Sequence, residues 1–404
     1  MRIVIVGAGI GGLAAALALA QSGMRSLVLE AAPQLGEIGA GIQLGPNAFH
    51  VLDQLGVGEA LLSGAVYVDS FRLMDSATGK QINRFSFGTE FRRRFGNPYV
   101  VLHRADLHRS LLDACVSSGL VDIRTGVKIE SFEQDAWTVR AVAADGQRFE
   151  GDALIGADGL HSAVRAQIVR DGLPRVSGHT TYRSVIDVAA MPEEFRWNSM
   201  AVWVGPKTHI VHYPLKGAKV FNLVATAHDE ADRALAGVPV TDEEVAAKFA
   251  HLVPEIRQII SCGSNWKKWV LCDRDPIENW NDGRVTLLGD AAHPTLQYLA
   301  QGACMAMEDG MCLANALGSF SPDVPAAFDA YRRERLVRTA RIQLGSRLVG
   351  DHIFHPSGVH ALTRNATLEA MGDQSFMDAF AWLYDADNTH TSVGTRAAVP
   401  LRTA

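Results

Sequence analysis

Apolar positions along this chain change period several times, and each change marks an element. Residues 2–6, Arg-Ile-Val-Ile-Val, are a short β-branched run that favours a strand. The turn Gly7-Ala8-Gly9-Ile10-Gly11-Gly12 interrupts it, and Leu13–Ser22 is rich in alanine and leucine, both strong helix formers. A second β-type run, Ser26–Glu30, ends on an acid. Strand, glycine turn, helix and strand thus fit within about 30 residues, the length of a β-α-β unit. That order predicts a parallel strand pair joined by a right-handed crossover.

Further along, Asn47–Ser63 and Arg104–Gly119 carry helical patterns, Trp137–Val142 alternates, and Ala153–Gly156 reads as a buried strand ending at Ala157-Asp158-Gly159. Between Thr181 and Thr226 the character changes to strand-like pieces separated by Gly, Pro and Lys turns: Thr181–Val188, Met200–Val204, His209–Tyr213 and Val220–Ala225. An acid-rich helical stretch, Thr241–Ile260, follows, then a buried-type strand, Val285–Leu288, that ends at Gly289-Asp290, and a helix from about Gly302. Residues 324–404 look helical, with an unstructured tail after about Asn388. The pattern predicts an α/β protein in which a dinucleotide-binding domain (1–178) is interrupted by a sheet domain (179–268), resumes at 269–320 and is followed by a helical C-terminal region (321–404). No internal repeat or heptad run is evident.

Composition narrows the function. With 404 residues, 48% apolar and 20% charged, the chain can bury a sizeable core. A net charge of −6 offers no broad attraction to a phosphate backbone, so nucleic acid is not expected as a partner. Five widely spaced cysteines (Cys115, Cys262, Cys272, Cys304, Cys312) include no Cys-x-x-Cys pair, so a metal site is not expected and reduced thiols in a cytoplasmic setting are. The N-terminal run, with Arg2 leading an apolar stretch that ends Ala-Leu-Ala-Gln, superficially resembles a signal peptide. Its four glycines break the apolar helix such a peptide needs, and no later stretch approaches the ~20 apolar residues that cross a bilayer.

Three motifs carry chemistry. In Gly7-x-Gly9-x-x-Gly12 the first glycine permits a tight turn, the second lets backbone approach a pyrophosphate, and the third lets helix pack on strand. The helix N-terminus then offers free N–H groups to the phosphates. Glu30, eighteen residues past Gly12 at the end of the second strand, is placed to accept hydrogen bonds from a ribose diol. The fingerprint means dinucleotide and does not separate NAD from FAD.

Ala157-Asp158-Gly159 with His161-Ser162-x-x-Arg165, and Gly289-Asp290-Ala291-Ala292-His293-Pro294, each follow a strand-like run. Together with the N-terminal glycines they resemble the three-part signature of the flavoprotein aromatic hydroxylases of group A, and the resemblance covers roughly residues 1–385. It implies a fold of the para-hydroxybenzoate hydroxylase type, FAD as cofactor, NADH as co-substrate without a dedicated domain, and a homodimer with no stable membrane association. It further implies that Gly289 and Asp290 lie along the flavin's ribityl and phosphate chain, that the helix at Gly302 faces the isoalloxazine, that Arg104 reaches FAD, and that Asp158 serves both pyrophosphate and nicotinamide.

Around the chemistry, His209-Ile-Val-His-Tyr213 and Pro294-Thr-Leu-Gln297-Tyr298 are similar to the 3-hydroxybenzoate 6-hydroxylase branch, with salicylate and 6-hydroxynicotinate hydroxylases as alternatives. A flavin dehydrogenase or a dinucleotide-sensing module is the alternative from another class. The resemblance makes His209 the base for a phenol on a small aromatic acid, Gln297 the partner that fixes the phenol, and Tyr213 a further pocket residue. A histidine suits the role because its ordinary pKa lies near working pH. His212 would face the other side of the strand, and His293 reads as structural. The chain departs from the wider family at Ala300, usually glycine, at Cys304, usually asparagine, and in lacking a second proline near Gln297.

Overall fold

A computed structural model describes residues 1–36, 41–62 and 64–389. At its centre is a six-stranded sheet in the order Asn281–Asp282, Val285–Leu287, Ala153–Gly156, Arg2–Val6, Arg25–Leu29, Val121–Arg124, parallel except for the Asn281–Asp282 edge. The inner strands are apolar on both faces because helices cover both. The expected β-α-β unit is present as Arg2–Val6, Ile10–Gln21 and Arg25–Leu29. Its helix is buried almost all round, because it lies between the sheet and the helix Gly302–Phe320. Small residues permit that approach: a Cβ on Gly310 would come within 2.7 Å of the Ala15 amide nitrogen.

An eight-stranded sheet forms the second body. Its order is Val238–Pro239, Lys267–Asp273, Arg175–Asp187, Val220–His228, Thr208–Leu215, Ser199–Gly205, Ser70–Asp75, Gln81–Ser86. The last two strands come from before residue 179, so the sheet draws on more of the chain than the run of strand-like pieces in 181–226. One face buries Trp203, Trp266 and Phe221 under the helices Asp242–Lys248 and Pro254–Ser261. The other face looks toward the six-stranded sheet.

Two expected helices are each split. Asn47–Ser63 becomes Pro46–Gln54 and Gly58–Leu62, with Gly56 at φ +72° ending the first, a left-handed position that glycine adopts cheaply. Thr241–Ile260 divides before Pro254, which lacks the N–H needed to continue a helix and instead opens the next one. The C-terminal helices Val324–Leu348, Gly358–Glu369 and Asp373–Tyr384 close over the space between the sheets, with a π-helical segment, Val349–Phe354, after the first. The expected tail lies, from residue 390, outside the described residues.

Candidate active site

Because the inner strands of the six-stranded sheet are parallel, their C-terminal ends fall on one edge, and the chain's three motifs and Glu30 meet there. Gly7 follows the first strand at φ +105°, where a Cβ would sit 2.4 Å from the Ala157 carbonyl oxygen. A Cβ on Gly12 would lie 2.0 Å from the carbonyl oxygen of Gly7, so neither position admits a side chain. Gly9, by contrast, borders open space: a Cβ there would meet no atom within 4 Å, and the residue lines a cavity of about 650 Å³.

The predicted cofactor residues divide into two groups. Arg104, Gly289, Asp290 and Gly302 line this cavity with Gly9. Asp290 presents its carboxylate into it near the first turn of the helix Gly302–Phe320. Glu30 does not line the cavity; its carboxylate accepts hydrogen bonds from the backbone N–H of Ala8 and of Ala32, both at 2.8 Å, so it braces the glycine turn. Asp158 is engaged within the protein. Its carboxylate accepts from Ser162 Oγ at 2.5 Å and from the Ala163 and Val164 amides, so it caps the helix Ala163–Ile168 and does not line the cavity. The His-Ser pair after Ala157-Asp158-Gly159 carries that signal, since a serine four residues beyond an acid is a capping partner.

A buried ion cluster fixes the Gly289 loop. Asp309 accepts from the Gly289 amide at 3.1 Å, from Arg335 Nε at 2.7 Å and pairs with His293 Nε2 at 2.6 Å. Despite burial, which opposes ionisation, His293 and Arg335 bring its carboxyl down to about 2. The adjacent Glu308 accepts from Arg335 at 2.8 Å, from Arg338 at 2.7 Å and from Asn47 at 2.8 Å. Two acids face two guanidiniums, so the buried charge is balanced. His293 is thereby structural, as the sequence suggested.

The far end of the same cavity is the inner face of the eight-stranded sheet. On Thr208–Leu215 the alternation sends His209, Val211 and Tyr213 into the cavity, while His212 packs on Trp197 and Phe221 on the opposite side. His209 Nδ1 lies 2.8 Å from His355 Nε2, and its ring packs against Tyr298 and Phe354, leaving Nε2 to the cavity. Burial, with neighbouring His355 and His179, holds its pKa well below the ordinary histidine value, so the ring is neutral. Burial pushes the Tyr213 phenol well up, opposed by Arg183, so it too is neutral.

Gln297 reaches the cavity from the turn Gln297–Leu299, and its side chain is already engaged. Its oxygen accepts from Arg183 at 2.8 Å and its nitrogen donates to Thr181 and Thr226 at 3.3 and 3.4 Å. Arg183 was not singled out in the sequence. Strand pairing places it across Val224 from Val211, two strands over and on the same face as His209 and Tyr213. Its Nε is buried without a hydrogen bond, and among the described residues no carboxylate pairs with it. An aromatic wall of Phe71, Phe85, Phe87, Tyr99 and Phe376 completes this end.

A glycine cradle at a parallel-sheet edge, running without a break into an aromatic pocket with a neutral histidine, defines a dinucleotide-dependent enzyme acting on a small aromatic molecule. The comparisons with known proteins make the class definite. The family described as FAD binding domain matches residues 1–344. The chain is 53% identical over 383 residues to 3-hydroxybenzoate 6-hydroxylase 1 of Aquipseudomonas alcaligenes, covering 95% of this chain and 97% of that protein. It is 48% identical to 3-hydroxybenzoate 6-hydroxylase of Polaromonas naphthalenivorans, covering 95% and 96%. Among solved structures, Klebsiella pneumoniae HpxO complexed with FAD and uric acid superposes with a TM-score of 0.83 at 27% identity, covering 97% of each chain. The chain therefore belongs to the FAD-dependent flavoprotein hydroxylases of group A, with the para-hydroxybenzoate hydroxylase type of fold.

The residues present fit FAD: the space at Gly9, the Arg104 and Asp290 side chains on the cavity wall, and the N-terminus of a 19-residue helix beyond them. Among the described residues no cluster of three or more metal-ligating side chains exists, and no helix is long and apolar enough to cross a membrane.

Proposed function

We propose that this chain is a 3-hydroxybenzoate 6-hydroxylase, which consumes NADH, a proton and O2 and yields gentisate, NAD⁺ and water. The observation that carries the reading is the shared sheet face: a neutral imidazole at His209 and, at Arg183, a guanidinium that no carboxylate pairs with among the described residues, held apart by Val211 and Val224, in the cavity that begins at the flavin cradle. The relatives named above, at 48–53% identity, support the choice of substrate.

Bound FAD supplies the redox chemistry, taking electrons from NADH and passing one oxygen atom of O2 to the aromatic ring. What the chain supplies is position and proton traffic. Arg183 takes the substrate carboxylate, which gives its Nε the acceptor it lacks among the described residues. His209 Nε2 accepts the phenol proton. The resulting phenolate pushes electron density to the carbon para to it, which is C6 of 3-hydroxybenzoate. Gln297 holds Arg183 in register and Tyr213 offers a neutral hydroxyl beside the ring. The apolar wall excludes water from the oxygen transfer. Asp158 acts on this reading as the cap that shapes the loop between the cradle and the surface. NADH visits from outside, and the enzyme works as a cytoplasmic homodimer, the state usual in the family. The dividing experiment is substrate-stimulated NADH oxidation across 3-hydroxybenzoate, salicylate and 6-hydroxynicotinate. The reading requires stimulation and coupled oxygen uptake with the first, and it fails if only one of the others is hydroxylated.

A further inference from the structure

We propose that Gln301 donates a side-chain N–H to the flavin ring and so raises the reduction potential of bound FAD, and that Asn47 is the residue that aims it. The inference concerns the cofactor end of the cavity, and it holds whichever aromatic acid is the substrate. Gln301 immediately precedes the helix Gly302–Phe320, lines the cavity with Gly302, and is only 2% exposed. Its side chain does not cap that helix. The carboxamide of Gln297, four residues earlier, is fully engaged with Arg183, Thr181 and Thr226. That of Gln301 is engaged on one side alone: its oxygen accepts from Asn47 Nδ2 at 2.9 Å, and its nitrogen donates to no acceptor among the described residues. Nor is that nitrogen closed off by protein atoms, so its N–H groups have the cavity to serve.

Which way the two amides point is decided by charge. Burial opposes the ionisation of Glu308, yet Arg338 and Arg335 hold its carboxyl below the ordinary value, so it is a carboxylate and can only accept. Asn47 must therefore turn its NH2 group toward Glu308, and does so at 2.8 Å. The same nitrogen also donates to Gln301 Oε1, since an amide oxygen turned there would meet another oxygen. With its oxygen so fixed, Gln301 has N–H to present to the cavity. Accepting at Oε1 also polarises the amide and makes that N–H a stronger donor. The arrangement has a cost that packing alone would not incur: Asn47 Oδ1 is buried without a hydrogen bond. A leucine of similar size would fill the site without it.

The surroundings of that N–H favour negative charge. Beside it lie the first N–H groups of a 19-residue helix, which have no partner within the helix and carry the positive end of its dipole. Bound FAD gains electron density on reduction, so a donor here binds the reduced form more tightly than the oxidised one. The buried cluster of Glu308, Arg335 and Arg338 thus does more than anchor helices: through Asn47 it sets the direction of a cofactor hydrogen bond.

The test is the two-electron midpoint potential of the FAD holoenzyme without substrate, measured against a reference dye. Gln301→Met keeps the length of the side chain and loses the donor. The preference for reduced over oxidised FAD should fall about tenfold, near the weaker end of a hydrogen bond to a charged group, which is a potential lower by about 30 mV. Asn47→Leu should shift it in the same direction by about threefold. The double variant should match Gln301→Met alone, because Asn47 acts only through Gln301. A potential unchanged in Gln301→Met overturns the proposal, and additive shifts in the double variant overturn the role of Asn47. Should either variant lose FAD, the unaltered protein still decides. With ¹⁵N-labelled glutamine side chains, the Gln301 NH2 resonances, identified by their absence from the Gln301→Met apoprotein, must move when FAD binds and again when it is reduced. Resonances that FAD leaves in place overturn the proposal. No substrate is present in these measurements, so the reading of His209 and of 3-hydroxybenzoate stands or falls separately.

Discussion

At the scale of single residues, the roles proposed for His209 and Arg183 differ, and the two should fail differently. His209→Ala is expected to keep FAD and NADH oxidation but to divert oxygen into peroxide, because the ring remains a poor nucleophile with its phenol protonated; an oxygen electrode with catalase added measures the uncoupled share. Coupling equal to the parent would remove His209 from the mechanism. Arg183→Met should raise KM for 3-hydroxybenzoate by roughly 30- to 100-fold, the size of a charge-assisted hydrogen bond of about 2–3 kcal/mol, while leaving binding of an uncharged phenol little changed. Equal losses for charged and neutral phenols would mean that Arg183 shapes the pocket without holding a carboxylate. The role proposed for His209 comes from family resemblance, since alternation places three residues of its strand in the cavity but cannot say what faces them. Arg183 was not legible at all: a lone arginine in a strand gives no sign that its Nε will be buried with no acid beside it among the described residues. Asp158 shows the converse, an acid in the motif whose carboxylate also caps a helix.

Among elements, the helices Gly302–Phe320 and Val324–Leu348 are joined through Glu308, Asp309, Arg335 and Arg338, and the same acids hold the Gly289 amide and His293. Removing one member leaves an uncompensated charge in a buried site. Asp309→Asn is therefore expected to cost about 3–5 kcal/mol of stability and to weaken FAD retention, because the loop that presents Asp290 loses its anchor. Denaturant unfolding and flavin release on dialysis check both, and a stability change under 1 kcal/mol would show the cluster is not the anchor. The glycine turn, its flanking strands and the helix after Gly289-Asp290 could be read from pattern because their cause is local: propensity, turn geometry and period. The split of 47–63 at Gly56 was also written locally, yet the helical period on either side masked it. The joining of Ser70–Asp75 to Ser199–Gly205 was not readable, since parallel pairing across more than 120 residues leaves no local trace.

For the molecule as a whole, one cavity unites the two sheets, and its histidines make the fold sensitive to acid. Burial lowers His179 to about 4 and His212 and His355 to about 3, against 6.5 for the ordinary group. Below about 6.5 the unfolded chain takes up protons that the folded chain refuses, so stability is full above that pH and falls steadily toward the folded values near 3–4. Thermal unfolding in buffers from pH 8 to 4 should show Tm dropping below about pH 6.5; a Tm flat across that span would mean that these rings are not buried neutral in the folded protein. FAD should raise Tm in a concentration-dependent way by binding only the folded state.

The most direct measurement of all is the product itself. Purified yellow enzyme supplied with 3-hydroxybenzoate, NADH and ¹⁸O₂ should give 2,5-dihydroxybenzoate, identified by NMR, carrying one ¹⁸O atom at the new hydroxyl by mass spectrometry. A hydroxyl at any other ring position, or gentisate whose new oxygen comes from water, would contradict a cavity in which His209 and Arg183 turn the para carbon toward the flavin.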